Sequence, residues 1–276
     1  MKDETARGRS TIRVSYYPWC PWVAPVLVNL REIAEDLSLD YVEVDLFQRP
    51  SSAHRAVLLV EADGKEIPIH VGMSDSDHTR RMVEASIEGK PMPESGVEEA
   101  EQPARGRQVS VGRVESVPIQ RLNISDVVGM CISEDFMYGP IPDTFADKAK
   151  EMRREWLEGL VDRFGFAGTI AYGNGKAVGF METVPGRLSE SMGMPTSNPR
   201  EETWVILCLS ITKNCWGQGI ASMLVERTID HLKESVQWIE VGAHKKGYWH
   251  PADFYSRCGF SVTKDVGDIC VMSRII

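Results

Sequence analysis

The chain has 276 residues and six cysteines, Cys20, Cys131, Cys208, Cys215, Cys258 and Cys270, yet no two of them are spaced C-x-x-C. That absence excludes the dithiol redox motif and the common zinc-ligand spacings, so no metal is expected. Several thiols sit inside apolar runs, as Cys208 does in "VILCLSI", which reads as the reduced, core-packed usage of a cytoplasmic protein. No window approaches the roughly 18 apolar residues of a membrane span. The opening "MKDETARGRS" lacks the apolar centre of a signal peptide. There is no excess of basic charge either, with 31 Lys and Arg against 40 Asp and Glu. A formal net charge of −9 argues against nucleic acid as a partner, because phosphates are neutralised by clustered Lys and Arg.

What is present is an ordinary globular composition, 42% apolar and 26% charged, over a length that suits two domains. The composition shifts once, in "KPMPESGVEEAEQPARGRQ" (residues 90–108), which is rich in Pro, Gly and Glu and nearly empty of large apolar side chains. It reads as an acidic linker. The expected organisation is a first domain over residues 1–90, a linker over 91–108 and a second domain over 109–276.

In the first domain, "TIRVSYYP" reads as a strand. Val23, Val26, Leu27, Leu30, Ala34 and Leu37 then recur at helical steps. "YVEVDLF" alternates as a strand, and "AVLLVEADGKEIPIHVG" reads as a hairpin turning at Asp63-Gly64. A closing helix is capped by Ser74 or Asp75. In the second domain, residues 143–164 form a long helix and "FAGTIAYGNGKAVGFMETVP" a hairpin turning at Asn174-Gly175. Residues 184–202 read as a loop. "TWVILCLSI", a helix, "QWIEVGAH", a short helix near 251–260 and the strand "ICVMSRII" follow. The fold class is therefore α/β (α+β), without a simple βαβ alternation.

One junction carries chemistry. "TWVILCLSI" suits a strand buried on both faces, and Ala221, Leu224, Val225, Thr228 and Leu232 stripe the helix beyond it. Between them Gly217 and Gly219 lie where a helix N-terminus offers unpaired N–H groups and a positive dipole end. A pyrophosphate is one occupant of such a turn. A tight turn without ligand is the other reading. The GK[ST] ending of a P-loop is missing, and the third glycine of a dinucleotide fingerprint is replaced by Ser222.

The surroundings resemble the GNAT superfamily of acetyl-CoA-dependent N-acetyltransferases. Asn214-x-x-Gly217-x-Gly219 stands where that family has Q/R-x-x-G-x-G/A, with Asn214 as the departure. "FYSRCGF" (residues 254–260) resembles its F-Y-x-x-x-G-F. The resemblance covers residues 109–276 and implies a mixed-sheet acyl-CoA N-acyltransferase fold with acetyl-CoA as co-substrate. It places the cofactor against Leu209, Ser210 and Ile211 on the central strand and against Asn214, Trp216, Gly217, Gln218, Gly219, Ile220 and Ala221 at the turn. Tyr255 takes the role of protonating the leaving thiolate. Glu182 is the first candidate for general base, with Glu240 and His250 as alternatives. Cys208 reads as inert core.

The order strand, "WCPW", helix, strand, hairpin, helix resembles the thioredoxin-like (YoaP-type) modules fused to some GNAT proteins. Cys20 falls between strand and helix, where a thiolate gains from the helix N-terminus. Val23 stands where a resolving cysteine would be, so an internal disulfide is excluded. Pro50 or Pro68 is the expected cis-proline facing Cys20. The leading expectation is an N-acetyltransferase that moves acetyl by direct attack to a small-molecule or peptide amine. A homodimer is compatible with it. The alternatives are a non-catalytic acetyl-CoA sensor and a thiol-handling protein centred on Cys20.

Overall fold

The computed structural model describes residues 10–49, 57–72, 75–93, 109–134, 140–247 and 250–276. Pro50, Ser74 and most of the expected linker lie outside them.

The N-terminal part is built as β1 (Thr11–Tyr16), α1 (Ala24–Asp36), β2 (Asp40–Asp45), β3 (Leu58–Ala62), β4 (Lys65–Ile67) and α2 (Ser76–Glu88). A single 3-10 turn, Pro21–Val23, precedes α1. The sheet order is β2-β1-β3-β4, with β1 parallel to β2 and antiparallel to β3. Asp63 (φ 49) and Gly64 (φ 76) both take positive φ at the hairpin tip, the turn that an Asp-Gly pair favours. Asp75 caps α2, its side chain accepting from His78 N. Among the described residues no peptide bond is cis, which corrects the expectation for Pro68.

The second part carries β5 (Val114–Pro118), α3 (Ile124–Ile132), α4 (Asp143–Phe164), β6 (Gly168–Gly173), β7 (Lys176–Pro185) and α5 (Gly186–Ser191). It continues with β8 (Thr203–Ile211), α6 (Ile220–Leu232), β9 (Trp238–His244), α7 (Ala252–Arg257), β10 (Ser261–Val266) and β11 (Ile269–Ile275). Seven strands form one sheet in the order β10-β11-β9-β8-β7-β6-β5. Only the β8–β9 pair in it is parallel. Helix α6 covers one face with Ile220, Leu224, Val225, Ile229 and Leu232. Helices α3 and α4 belong to the core on the other face.

Helix α4 belongs to both parts. Ala149 and Met152 in its first half join the core of the N-terminal sheet. Trp156, Leu157 and Leu160 in its second half join the core under the large sheet, together with Tyr17, Leu46 and Phe47 of the N-terminal part. The two parts are therefore sealed by one helix whose halves serve different cores. The expected domains are continuous in packing although a linker-like sequence runs between them.

Gly159 makes that seal close. A Cβ added there would run into Phe47 Cε1. The Phe47 ring cannot retreat, because Trp156 tilts against it at 4.6 Å between centroids and the Arg163 guanidinium lies 3.9 Å over it. Gly159→Ala should therefore destabilise the chain by about 1–3 kcal/mol through overpacking, against the roughly 1 kcal/mol that alanine gains in helix propensity. Urea denaturation measures the difference. A raised midpoint would contradict this account of the seal.

Candidate active site

Strand β8 is apolar along its length because it is covered on both faces, and every residue of it is buried except the half-buried Leu209. Its neighbours differ along its course. On the β9 side it pairs only from Thr203↔Trp238 to Ile206↔Val241. On the β7 side pairing continues to Gly179↔Ile211. Leu207 is the extra residue of a bulge opposite Glu182 and Thr183, and bulges bend a strand and re-aim its edge. Beyond Ile206 the edge of β8 facing β9 has no strand partner. Leu209, Ser210 and Ile211 lie on this splayed stretch.

The glycine turn follows directly. Gly217 (φ 79) and Gly219 (φ 78) both lie in the left-handed region, and Gly219 is the N-cap of the 13-residue α6. A Cβ on Gly219 would meet nothing within 4 Å, so the turn opens to free space. Three side chains from the predicted set hold the turn in shape. Trp216 Nε1 donates to Ile211 O at 2.8 Å. Gln218 Nε2 donates to Val109 O at 2.8 Å. The Asn214 Oδ1 accepts from the Cys215 thiol at 3.1 Å, and Asn214 O accepts from Val109 N. Ile220 is buried and Ala221 packs at the edge of the core. The free donors of this junction are thus backbone ones.

Tyr255 is fully buried on α7, and its hydroxyl lies 2.6 Å from His250 Nδ1, the two rings stacked at 6°. Burial pushes the phenol well above its usual range, with the Cys208 thiol adding to the effect. His250 sits at φ 43. Burial, helped by His244, pushes it down to about 3, so it is neutral at physiological pH. The sequence separates these two residues by five positions, and the fold makes them one hydrogen-bonded pair.

Glu182 corrects an expectation. It is wholly buried, and one carboxylate oxygen pairs with Arg153 while the other accepts from Trp156 Nε1 at 2.5 Å. Burial works against the Arg153 charge, and Glu182 beside it more than reverses that, so the guanidinium stays protonated. A carboxylate held on both oxygens is a structural anchor and not a free base. Glu240 is similarly engaged: it accepts from Thr196 Oγ1, Ser197 N and Ser197 Oγ.

Cys20 departs from its expectation too. Burial pushes its thiol up to about 12, opposed by the Trp22 backbone N–H and by Arg153. The turn after it packs against α4, and desolvation there outweighs the help of the helix start. Burial likewise holds the Cys208 thiol well above its ordinary range, as a core cysteine requires.

A cavity of about 100 Å³ lies where β8 and β9 part, lined by Val205, Ile206, Leu207, Gly242, His244, His250 and Ile269. Met194 and Pro195 from the 184–202 segment close one side, and Trp19 from the N-terminal part closes another. His244 and Trp19 were not singled out from sequence. His244 ends "QWIEVGAH" and reads as a strand terminus, and Trp19 belongs to a segment more than 180 residues from β8. Among the described residues no three His, Cys, Asp or Glu side chains gather as metal ligands. No helix among them is long and apolar enough to cross a membrane.

Residues 133–260 match the profile of the acetyltransferase (GNAT) family. This segment is a GNAT acetyltransferase domain. An enzyme of that family takes acetyl-CoA as co-substrate, and acetyl-CoA is accordingly the donor for this domain. Solved structures of similar shape include the PaiA N-acetyltransferase of Thermoplasma acidophilum in complex with coenzyme A, at 12% identity over 60% of this chain and 100% of that one, TM-score 0.43. An acetyltransferase from Thermus thermophilus has 17% identity over 61% and 100%, TM-score 0.42. The ribosomal-protein-alanine N-acetyltransferase of Brucella melitensis has 17% identity over 59% and 99%, TM-score 0.42. Among curated proteins no relative matches the chain.

The buried His250 has a consequence for the GNAT domain that stability measures directly. Its folded-state pKa of about 3 lies below the ordinary 6.5. Between those values the unfolded chain binds the proton and the folded one does not, so stability is whole above about pH 6.5 and falls as pH drops. From pH 7 to pH 5 the wild type should lose about 2 kcal/mol more than His250→Asn. Equal losses in parallel urea titrations would show that His250 is not held neutral.

Proposed function

We propose that the chain transfers the acetyl group of acetyl-CoA directly to the nitrogen of a small amine, with no acyl-enzyme. The reading is carried by the place where β8 parts from β9 next to the glycine turn, within the segment that matches the family profile. The pyrophosphate of acetyl-CoA rests on the backbone N–H groups of Gly217 to Ala221, helped by the positive end of α6. The thioester lies along Leu209, Ser210 and Ile211, whose unpaired edge offers main-chain groups to its carbonyl oxygen as charge develops there.

The acceptor nitrogen, entering neutral, attacks the thioester carbon. The C–N bond forms, the C–S bond breaks, and the coenzyme leaves as a thiolate. Tyr255 gives that thiolate its proton. His250 assists if its own proton sits on Nδ1 and is donated to the tyrosine oxygen, because the phenolic hydrogen is then free to point at the sulfur. The proton released from nitrogen passes to water or to His244, the titratable group beside His250 on the cavity wall. This assignment takes the place of Glu182 as base.

The N-terminal part is proposed to be thioredoxin-like on its strand order and on the parallel β1–β2 pair followed by an antiparallel hairpin. With Cys20 neutral and lacking a partner at Val23, it serves as a structural and substrate-facing unit and not as a redox one. All six cysteines are unpaired, which suits a reducing compartment, and a cytoplasmic location belongs to the proposal.

Gly219→Glu should weaken acetyl-CoA binding at least a hundredfold in calorimetry, because it puts a carboxylate into the open space meant for phosphate. Gly219→Asn, which tolerates positive φ, should retain most of the affinity. Equal affinity in both variants and the wild type would refute the cradle. Separately, Tyr255→Phe should lower kcat by about 10²–10³-fold while leaving the acetyl-CoA KM within a factor of about three. A change in KM alone would remove Tyr255 from the chemistry.

A further inference from the structure

Trp19 lies in the loop between β1 and the 3-10 turn, and that loop is fastened to the GNAT domain at two points. Tyr17 Oη donates to Ser191 Oγ at 3.0 Å. Trp19 O accepts from Arg153 Nη1 at 2.7 Å. Arg153 is itself fixed by Glu182, which stands opposite Cys208 at the bulge of β8. The Ser191 end of the first fastening leads within four residues to Met194 and Pro195, which line the same cavity as Trp19. Pro195 is pressed onto β9, since a Cβ on Gly242 would come within 2.9 Å of its Cγ. The loop that carries Trp19 is therefore fixed, and its half-buried side chain packs against the core under the large sheet while lining the cavity.

The chemistry of the lining narrows what the wall can face. Among the described residues, no Asp, Glu, Lys or Arg lines this cavity. An ammonium brought in would lose its water without gaining a counter-charge, which is unfavourable. Its volume of about 100 Å³ is below the ~150 Å³ of an apolar cavity that accepts benzene.

We propose that the N-terminal domain completes the acceptor pocket and that Trp19 sets the size of the amine admitted, a small one with an uncharged, apolar head. This rests on the acetyl-transfer reading. Trp19 acts here as a specificity-determining residue, and truncating it lengthens the pocket without touching the donor side.

The test uses the full-length chain with Trp19→Ala and Trp19→Phe. Acetyl-CoA affinity is measured by calorimetry, and kcat/KM is measured for methylamine, propylamine, butylamine and benzylamine. The expected result is that Trp19→Ala raises the benzylamine-to-methylamine ratio of kcat/KM at least tenfold. Trp19→Phe should fall between it and the wild type, with acetyl-CoA affinity unchanged in all three. An unchanged ratio with unchanged acetyl-CoA affinity overturns the proposal. If none of the amines is acetylated although acetyl-CoA binds, the acetyl-transfer reading fails by itself. The wall is then decided by calorimetric titration of benzylamine into the coenzyme A-saturated protein at pH 10. Binding gained by Trp19→Ala supports it, and identical binding in Trp19→Ala and wild type overturns it.

Discussion

The ion pair between Arg153 and Glu182 holds the two halves of the molecule to one geometry. Both side chains are buried, at 1% and 0% exposure, so neither charge has water to fall back on. Removing one partner from such a pair typically costs about 3–5 kcal/mol, because the other is left charged and unmatched. Trp156 Nε1 donates to the carboxylate and the guanidinium donates to the Trp19 carbonyl, while the buried Arg153 Nε has no hydrogen-bond partner among the described residues. Through these contacts the pair connects α4, the bulge region of β7 and β8, and the loop ahead of α1.

The donor side is organised by a different principle. The splay of β8 from β9 leaves backbone groups without a strand partner, and the positive-φ glycines aim further backbone N–H groups at the mouth of α6. The side chains nearby spend their hydrogen bonds on one another and on the Ile211 and Val109 carbonyls. In the proposed reading the phosphate meets main chain alone, which accommodates Asn214 where glutamine or arginine is usual in the resembled motif. Its side chain has a local structural partner in the Cys215 thiol.

Much of the architecture is legible in the chain's local patterns. The hairpins at Asp63-Gly64 and Asn174-Gly175, the helix over residues 143–164 and the strand–turn–helix at Gly217–Gly219 follow from turn chemistry and periodicity, which act over a few residues. Helix α3 escapes despite its apolar run, and two further elements that escape have weak local signals. Strand β10 is exposed throughout and carries no apolar alternation, and α5 is six residues of mixed composition. The roles of Glu182 and Cys20 are not legible in the sequence for a shared reason. Each is weighed there by its neighbours along the chain, whereas its protonation and availability depend on Arg153 and on α4, which arrive from elsewhere.

What the sequence determined by itself is what short-range physics determines: the fold class, the glycine turn, the thiol without a resolving partner and the motif around Tyr255. Tertiary structure decided what long-range contact decides. It made Glu182 an anchor, paired Tyr255 with His250, kept the Cys20 thiol neutral and brought Trp19 to the cavity beside His244. Burial and charge pairing are properties of whatever is packed alongside. For these residues the decisive neighbours lie on other elements or across a loop, beyond the reach of any local pattern.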